Sequence, residues 1–145
     1  MINGINVNDL NIISSNEGSV FHVLKKSNPF LNDFGEVYFS TVNYNSVKAW
    51  KMHKKMTLNL VVPNGEVLFC FYDSRRNSKT FNCFFEIILS KKNYKLLTVS
   101  PNIWFGFKGL SKKTNLICNI ADIEHDDTEI LRKNIDEINF NWKIK

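Results

Sequence analysis

An all-β domain is the fold class that this sequence predicts, and two observations lead to it. Short runs in which apolar and polar residues alternate follow one another along the chain, each about the length of a β-strand. Turn-forming residues separate these runs at intervals of about 8–12 residues, a spacing typical of β-sandwiches and barrels. The 145 residues fit a single domain spanning 1–145, and no apolar run approaches the ~18 residues of a membrane-spanning helix.

Eight runs alternate clearly enough to be predicted as strands. They are GEVYFSTV (35–42), VKAWKMH (47–53), MTLNLVV (56–62), EVLFCFYD (66–73), NCFFEIILS (82–90), YKLLTVS (94–100), IWFGF (103–107) and TNLICNIAD (114–122). The residues PNG (63–65) predict a turn, because Asn and Gly adopt turn conformations at little cost. Residues 73–81 are predicted to form a longer loop. Only DTEILRKNI (127–135) has a pattern compatible with a turn or two of helix.

The net charge of +5 and the pI near 9.1 favour an anionic partner, such as a nucleic acid or a phosphorylated small molecule. The lysines are spread along the whole chain, however, and form no basic run of the kind found in nucleic-acid-binding arms. We therefore expect no nucleic-acid partner.

Cysteine usage and the first residues indicate a reducing compartment. Cys70, Cys83 and Cys118 are far apart and lie in apolar runs, with no CxxC spacing, so they predict buried thiols rather than a zinc site or disulfides. The opening MINGINVNDLNII lacks the basic and apolar regions of a signal peptide. A cytoplasmic protein without a membrane partner is expected.

One histidine is the strongest candidate for chemistry. His53 ends the run 47–53 and is surrounded in sequence by Lys48, Lys51, Lys54 and Lys55. Nearby positive charge opposes protonation of the ring, which keeps the imidazole a base, and it would stabilise a developing enolate. The alternative is a half-exposed strand histidine among solvated lysines. A metal site is not predicted, because the Lys51-x-His53 spacing offers a lone ligand, and no cofactor is expected.

Several spaced motifs, taken in order, resemble a known family. They are FGEVYF (34–39), AWKMH (49–53), GEV (65–67), DSRRNSKTF (73–81), LSKKN (89–93) and SPNIWFGFKGLS (100–111). The order and spacing resemble the dTDP-4-dehydrorhamnose 3,5-epimerase family of the cupin superfold over roughly residues 30–142. The resemblance implies a cupin jelly roll, a double-stranded β-barrel.

The resemblance also implies roles for single positions. His53 matches the base that removes the proton beside the sugar's 4-keto group. The other family positions carry different residues: the catalytic lysine falls near Thr57 or Leu58, a site histidine on Phe105, the tyrosine on Cys118, the orienting aspartate near Asn134 and the entry arginine on Phe34. The resemblance therefore implies a divergent member with an incomplete catalytic set.

Substrate contacts are predicted from the same motifs and from residue chemistry. Aromatic rings can stack on a base or sugar, although core packing explains them equally well, and Arg75 with Arg76 either forks onto a diphosphate or forms a solvated loop. The predicted substrate-binding residues are Lys51, Lys55, Tyr72, Arg75, Trp104, Phe105 and Cys118.

These observations predict an epimerase or keto-isomerase that acts on a 4-keto-6-deoxy sugar nucleotide. The family implies a role in surface polysaccharide biosynthesis, such as lipopolysaccharide or O-antigen assembly. It also implies a homodimer in which residues 1–40 contribute a strand to the contact. The alternative is a non-catalytic sugar or sugar-nucleotide binding module on the same fold, favoured by the missing family residues.

Overall fold

The computed structural model describes residues 1–143, and this part of the chain contains twelve β-strands. They are β1 (Ile5–Asp9), β2 (Ile12–Ser14), β3 (Ser19–Phe21), β4 (Glu36–Val42), β5 (Val47–His53), β6 (Leu58–Asn64), β7 (Glu66–Tyr72), β8 (Phe84–Ser90), β9 (Lys95–Val99), β10 (Trp104–Gly109), β11 (Asn115–Ala121) and β12 (Ile130–Arg132). Two short 3₁₀ helices, Asp127–Glu129 and Ile135–Glu137, flank β12. No helix in the described residues is long and apolar enough to cross a membrane.

Two five-stranded antiparallel sheets pack against each other. The first sheet has the strand order β1-β9-β6-β11-β4, and the second has the order β12-β5-β10-β7-β8. Strands β2 and β3 form a separate hairpin. In both sheets, strands that are distant in the sequence are hydrogen-bonded neighbours. The predicted all-β jelly-roll fold is confirmed.

Three apolar clusters explain why some strands alternate and others are apolar throughout. The main core lies between the sheets and includes Leu58, Phe69 and Phe105. A second cluster covers the outer face of the first sheet, where residues 10–24 pack on β6, β9 and β11. A third covers the outer face of the second sheet, where residues 138–142 pack on β5, β7 and β10. Strands buried on both faces lose the polar half of the alternation.

The predicted strands agree with the structure to within a few residues, and VKAWKMH matches β5 at both ends. The turn is narrower than predicted, because β6 continues through Asn64 and the chain reverses at Gly65. Gly65 has φ +83°, and a Cβ there would lie 2.5 Å from the carbonyl oxygen of Thr114, so only glycine fits. Residues 127–135 form a 3₁₀ turn and the short strand β12 in place of a regular helix.

The N-terminal segment and strand β4 occupy the two edges of the first sheet. Strand β1 pairs with β9 of the same chain, so it already has a partner. Within residues 1–143, strand β4 pairs only on one side, with β11, and its outward residues Val37 and Phe39 are exposed. A long apolar edge of this kind is an open surface for pairing with another strand.

Candidate active site

A buried histidine and a buried carboxylate form the centre of the candidate site. His53 ends β5, and its Nδ1 is hydrogen-bonded to Oε1 of Glu129; the two residues are 4% and 2% exposed. The other carboxylate oxygen, Oε2, accepts the backbone N–H groups of Lys54 at 3.0 Å, Lys55 at 3.1 Å and Met56 at 3.4 Å. The carboxylate is therefore fixed from both sides, and it holds the imidazole in one orientation.

The local sequence explains how Glu129 reaches this place. The side chain of Asp126 accepts the backbone N–H of Thr128 and caps the 3₁₀ turn Asp127–Glu129. The chain then pairs antiparallel with β5, with Ile130 opposite His53. Glu129, the residue before Ile130, therefore lies at the end of β5, where its carboxylate accepts the three backbone N–H groups.

The tautomer of His53 follows from the charge of its partner. Burial alone would raise the pKa of Glu129, but the hydrogen bonds from His53 and from the backbone hold that pKa below its usual value. The carboxylate is therefore ionised at neutral pH and can only accept, so Nδ1 of His53 must carry the proton. Nε2 then carries the lone pair, and within residues 1–143 this buried atom has no hydrogen-bond partner.

The protonation state of the ring is set by opposing effects. Burial lowers the pKa of His53 and the ammonium of Lys51 lowers it further, whereas the hydrogen bond and charge of Glu129 raise it; the net direction is down. The ring is consequently neutral at physiological pH. A neutral imidazole with an oriented, unpartnered Nε2 is chemically able to accept a proton.

A cavity of about 340 Å³ lies next to this pair, between the two sheets. The first sheet contributes Tyr38 and Asn119 to its walls, and the second contributes Lys51 and Phe105. His53 adjoins the cavity through Phe105: the two rings are stacked with centroids 6.0 Å apart. The volume is that of a site for a small organic ligand.

Three cations surround the cavity on the side of the second sheet. Lys48, Lys51 and Arg132 all line it, and Lys51 is directly opposite Arg132 across the β5–β12 pair. Burial lowers the pKa of Lys51, and the charge of Arg132 lowers it further. Arg132 also lies 3.5 Å from a carboxylate oxygen of Asp127, and the charges of Glu129 and Asp127 raise the pKa of Lys51, so carboxylates of the chain balance part of this charge. Three cations on one wall of the cavity suit a negatively charged ligand.

Two of the predicted substrate-binding residues, Lys51 and Phe105, lie in the cavity with His53 beside them. Lys55 is exposed, and its contribution to the site is the backbone N–H that Glu129 accepts. The structure therefore places three of the predicted site residues, His53, Lys51 and Phe105, at or beside one cavity.

The other predicted residues lie elsewhere. Tyr72 stacks on Phe84 with centroids 4.8 Å apart, and its hydroxyl is within 2.9 Å of Asn82 Oδ1. Trp104 is buried in the cluster on the outer face of the second sheet, because the neighbouring Phe105 takes the inward position.

Arg75 and Cys118 are likewise engaged away from the cavity. The guanidinium of Arg75 donates to both oxygens of the buried Asp73 and to the backbone carbonyl of Asn3. Cys118 lies in the cluster on the outer face of the first sheet, where it packs with Tyr94, and burial raises the pKa of its thiol. Neither side chain faces the ligand space.

Several site residues were not found from the sequence. The resemblance places the orienting acid near Asn134, but Asn134 caps the second 3₁₀ helix, and it is Glu129 that is hydrogen-bonded to the histidine. Tyr38, Asn119 and Arg132 also line the cavity without having been predicted to do so. The turn signal at Asp126, followed by the alternating Ile130-Leu131-Arg132, was the available indication that the chain returns to β5. Among the described residues there is no cluster of three or more metal-ligating side chains.

Fold and site together define a class of protein: a jelly roll with a histidine–carboxylate pair beside a cationic cavity. The family model for dTDP-4-dehydrorhamnose 3,5-epimerase matches residues 24–145. This chain belongs to the dTDP-4-dehydrorhamnose 3,5-epimerase family.

Individual relatives agree with this assignment. The crystal structure of a dTDP sugar isomerase from Desulfovibrio desulfuricans G20 superposes with a TM-score of 0.93 at 35% identity, covering 97% of this chain and 92% of that one. The probable low-salt glycan biosynthesis epimerase Agl13 of Haloferax volcanii is 24% identical over 88% of this chain and 86% of its own length. The spore coat polysaccharide biosynthesis protein SpsL of Bacillus subtilis is 24% identical over 100% of this chain and 99% of its own.

Proposed function

We propose that this protein epimerises a 4-keto-6-deoxy sugar nucleotide, with His53 as the base. The observation that carries the proposal is the buried His53–Glu129 pair, whose Nε2 has no partner within residues 1–143 and which adjoins a cavity between the sheets. A non-catalytic binding module has no need for an oriented, desolvated base. Family membership and the sugar-nucleotide epimerases among the similar structures support the substrate class.

The chemistry needs a base beside a carbon whose proton is acidified by the neighbouring ketone. Nε2 of His53 takes this proton, and the C–H electron pair moves onto the ketone oxygen to give an enolate. The imidazolium that forms is stabilised by the ionised Glu129. The ammonium of Lys51, on the same face of β5 two residues earlier, is suited to stabilise the enolate oxygen.

The diphosphate of the substrate is assigned to the cationic wall. Lys48 and Arg132 line the cavity beside Lys51, and these three positive charges would attract a diphosphate. The aromatic ring of Phe105, fixed against His53, offers an apolar face to the sugar.

The pathway is proposed to be that of a surface polysaccharide, and the location cytoplasmic. The names of the similar proteins Agl13 and SpsL both refer to glycan or polysaccharide biosynthesis, which supports the pathway. A homodimer is also proposed, with the exposed edge of β4 as the contact, because this is the long apolar edge of the first sheet.

Solvent exchange tests the proposed chemistry. The protein is incubated in heavy water with dTDP-4-keto-6-deoxyglucose, and deuterium at carbon 3 and carbon 5 is followed by NMR. We expect labelling by the native protein and a loss of at least ~10²-fold in His53→Asn, since a general base has been removed. His22 directly follows strand β3 of the hairpin and does not line the cavity. His22→Asn is therefore the matched control, and this variant should label the substrate normally.

Binding without labelling would contradict the proposal. If the native protein binds this substrate and leaves both carbons unlabelled, the non-catalytic binding module is the better account of the fold.

A further inference from the structure

Asn119 is a buried polar side chain of the cavity that the proposed base chemistry does not use. It lies on β11 between Ile117 and Ala121, two residues on, and these face the core between the sheets, so the side chain of Asn119 also faces inward. It is 7% exposed and lines the cavity from the first sheet, whereas the cations line it from the second. A polar group buried here is unfavourable unless its hydrogen-bonding capacity is used.

One half of the Asn119 amide is satisfied by the chain itself. Its Nδ2 donates to the backbone carbonyls of Tyr38 and Ile117, each at 3.3 Å, and to the hydroxyl oxygen of Ser40 at 3.0 Å. Backbone carbonyls can only accept, so the NH₂ group must face them and the orientation of the amide is fixed. Oδ1 is left on the side of the cavity, and within residues 1–143 it accepts no hydrogen bond.

The other two buried asparagines of the described residues use both halves of their amides. Oδ1 of Asn59 accepts the hydroxyl of Thr98 at 2.6 Å, and its Nδ2 donates to the carbonyl of Phe30 at 3.3 Å. Oδ1 of Asn115 accepts two backbone N–H groups, and its Nδ2 donates to three carbonyls. Among the buried asparagines of residues 1–143, Asn119 therefore differs in keeping its carbonyl oxygen available to a ligand.

Ser40 supplies the complementary donor. It is half-buried on β4 and lines the same cavity, and its oxygen already accepts from Asn119. Its own proton has no acceptor among residues 1–143. A donor and an acceptor side by side match a hydroxyl group, which donates and accepts at once. An ammonium would also suit Oδ1, but Lys51 and Arg132 in the same cavity disfavour a positively charged ligand.

We propose, on the basis of the proposed function, that Ser40 and Asn119 select the substrate by one of its ring hydroxyls. The hydroxyl donates to Oδ1 of Asn119 and accepts the proton of Ser40. A 4-keto-6-deoxy sugar linked to the nucleotide through carbon 1 carries its free hydroxyls at carbon 2 and carbon 3, so one of these two is the group bound. An analogue without it leaves Oδ1 buried and unpaired, and a site that hydrogen-bonds a substrate hydroxyl rejects such an analogue strongly.

Calorimetric titration with ligands that cannot be deprotonated tests this assignment. The parent ligand is dTDP-6-deoxyglucose, in which a hydroxyl replaces the ketone, and it is compared with its 2-deoxy and 3-deoxy analogues. For the native protein we expect one of the two analogues to bind at least ~10-fold more weakly than the parent. In Asn119→Leu this ratio should fall to about threefold or less, and Ser40→Ala should lower it by about threefold, since each variant removes one partner of the hydroxyl.

Ser46→Ala and Asn59→Leu are the matched controls: an exposed serine just before β5, and a buried asparagine that lines no part of the cavity. Both should keep the native ratio. If the melting curve shows that Asn119→Leu does not fold, Ser40→Ala still decides the question.

Two results would overturn the hydroxyl assignment alone: binding of all three ligands to the native protein within about threefold of one another, or an unchanged ratio in Ser40→Ala. Absence of binding by every dTDP ligand would instead overturn the proposed substrate class and this assignment with it. A native protein that keeps the hydroxyl preference but shows no solvent exchange would leave the hydroxyl site standing and remove the proposed epimerisation.

Discussion

Replacing Glu129 by glutamine tests the histidine–carboxylate pair most directly. The substitution keeps the shape of the side chain and removes its charge. Oε2 accepts three backbone N–H groups, so the amide oxygen of glutamine must take that side. The amide NH₂ is then directed at Nδ1 of His53, which can accept only if the ring proton moves to Nε2. The variant therefore holds the imidazole in the tautomer that has no lone pair for the substrate.

The expected cost in rate follows from this tautomer change. When the corresponding carboxylate of a serine-protease triad is replaced by its amide, kcat falls about 10⁴-fold for the same reason. For Glu129→Gln we expect solvent exchange into the substrate to fall by about 10³–10⁴-fold, which corresponds to about 4–5.5 kcal/mol in the activation free energy. The melting temperature should fall as well, since hydrogen bonds to a charged acceptor become bonds to a neutral one, a loss of about 1–3 kcal/mol in the free energy of unfolding.

The pH dependence provides an independent check. The folded-state pKa values of His53 and Glu129 are both lowered, so the unfolded chain binds more protons than the folded one as the pH falls. Their contribution to stability is therefore full above the unfolded pKa of histidine, about 6.5, and is lost toward acid. The exchange rate should likewise decline only below that value, where Nε2 becomes protonated.

The assay is NMR-detected exchange across pH, with the exposed Glu124→Gln as the control. Glu129→Gln with native exchange rates would show that the carboxylate does not orient the base. A native acid limb centred above the ordinary histidine pKa would contradict the assignment of a neutral, desolvated ring.

Three further predictions concern the ligand, the loop after β7 and the assembly. Thymidine diphosphate should raise the melting temperature of the native protein by ligand linkage while thymidine does not, and Lys51→Met or Arg132→Met should shrink the shift; equal shifts from both compounds would remove the diphosphate assignment. Asp73→Asn should lower the free energy of unfolding by about 2–4 kcal/mol in urea titrations at neutral pH, because the buried carboxylate accepts five hydrogen bonds from a loop it organises; an unchanged midpoint would count against this role. Light scattering should give twice the 16.9 kDa chain mass for the native protein and the single-chain mass for Phe39→Lys, whereas a monomeric native protein would exclude the dimer.

Strand positions could be predicted closely because each strand leaves a period-two pattern in its own residues. The run VKAWKMH matches β5 at both ends, and His53 closes it at the position where the site lies. The same periodicity places Phe105 inside and Trp104 outside once one of them is assigned. The pattern alone does not say which face is inward when both faces are apolar, and β10 is buried on both. Trp104 was therefore predicted as a ligand contact and is found in the outer cluster.

The contacts that could not be predicted are those between segments distant in sequence. Glu129 is paired with His53 across 76 residues, and nothing in either segment specifies the partner. Tyr38 and Lys51 meet at one cavity only because β4 and β5 end up in facing sheets. The sequence alone suggests that the Arg75 guanidinium is free to bind a ligand, but in the structure it forms an ion pair with the buried carboxylate of Asp73.

Glu129 immediately precedes β12, the last strand in the sequence, so the histidine–carboxylate pair can form only late in synthesis. Translation at about 5–20 residues per second places roughly 4–15 s between the appearance of His53 and that of Glu129. During that interval a nascent chain that has reached β11 holds every strand of the first sheet and all of the second except β12. Such a chain lacks the carboxylate of Glu129 and also residues 138–142, which cover the outer face of the second sheet. A stop codon between Ala121 and Glu129 would accordingly yield a chain whose second sheet exposes Trp50 and Trp104 and whose histidine has no oriented tautomer.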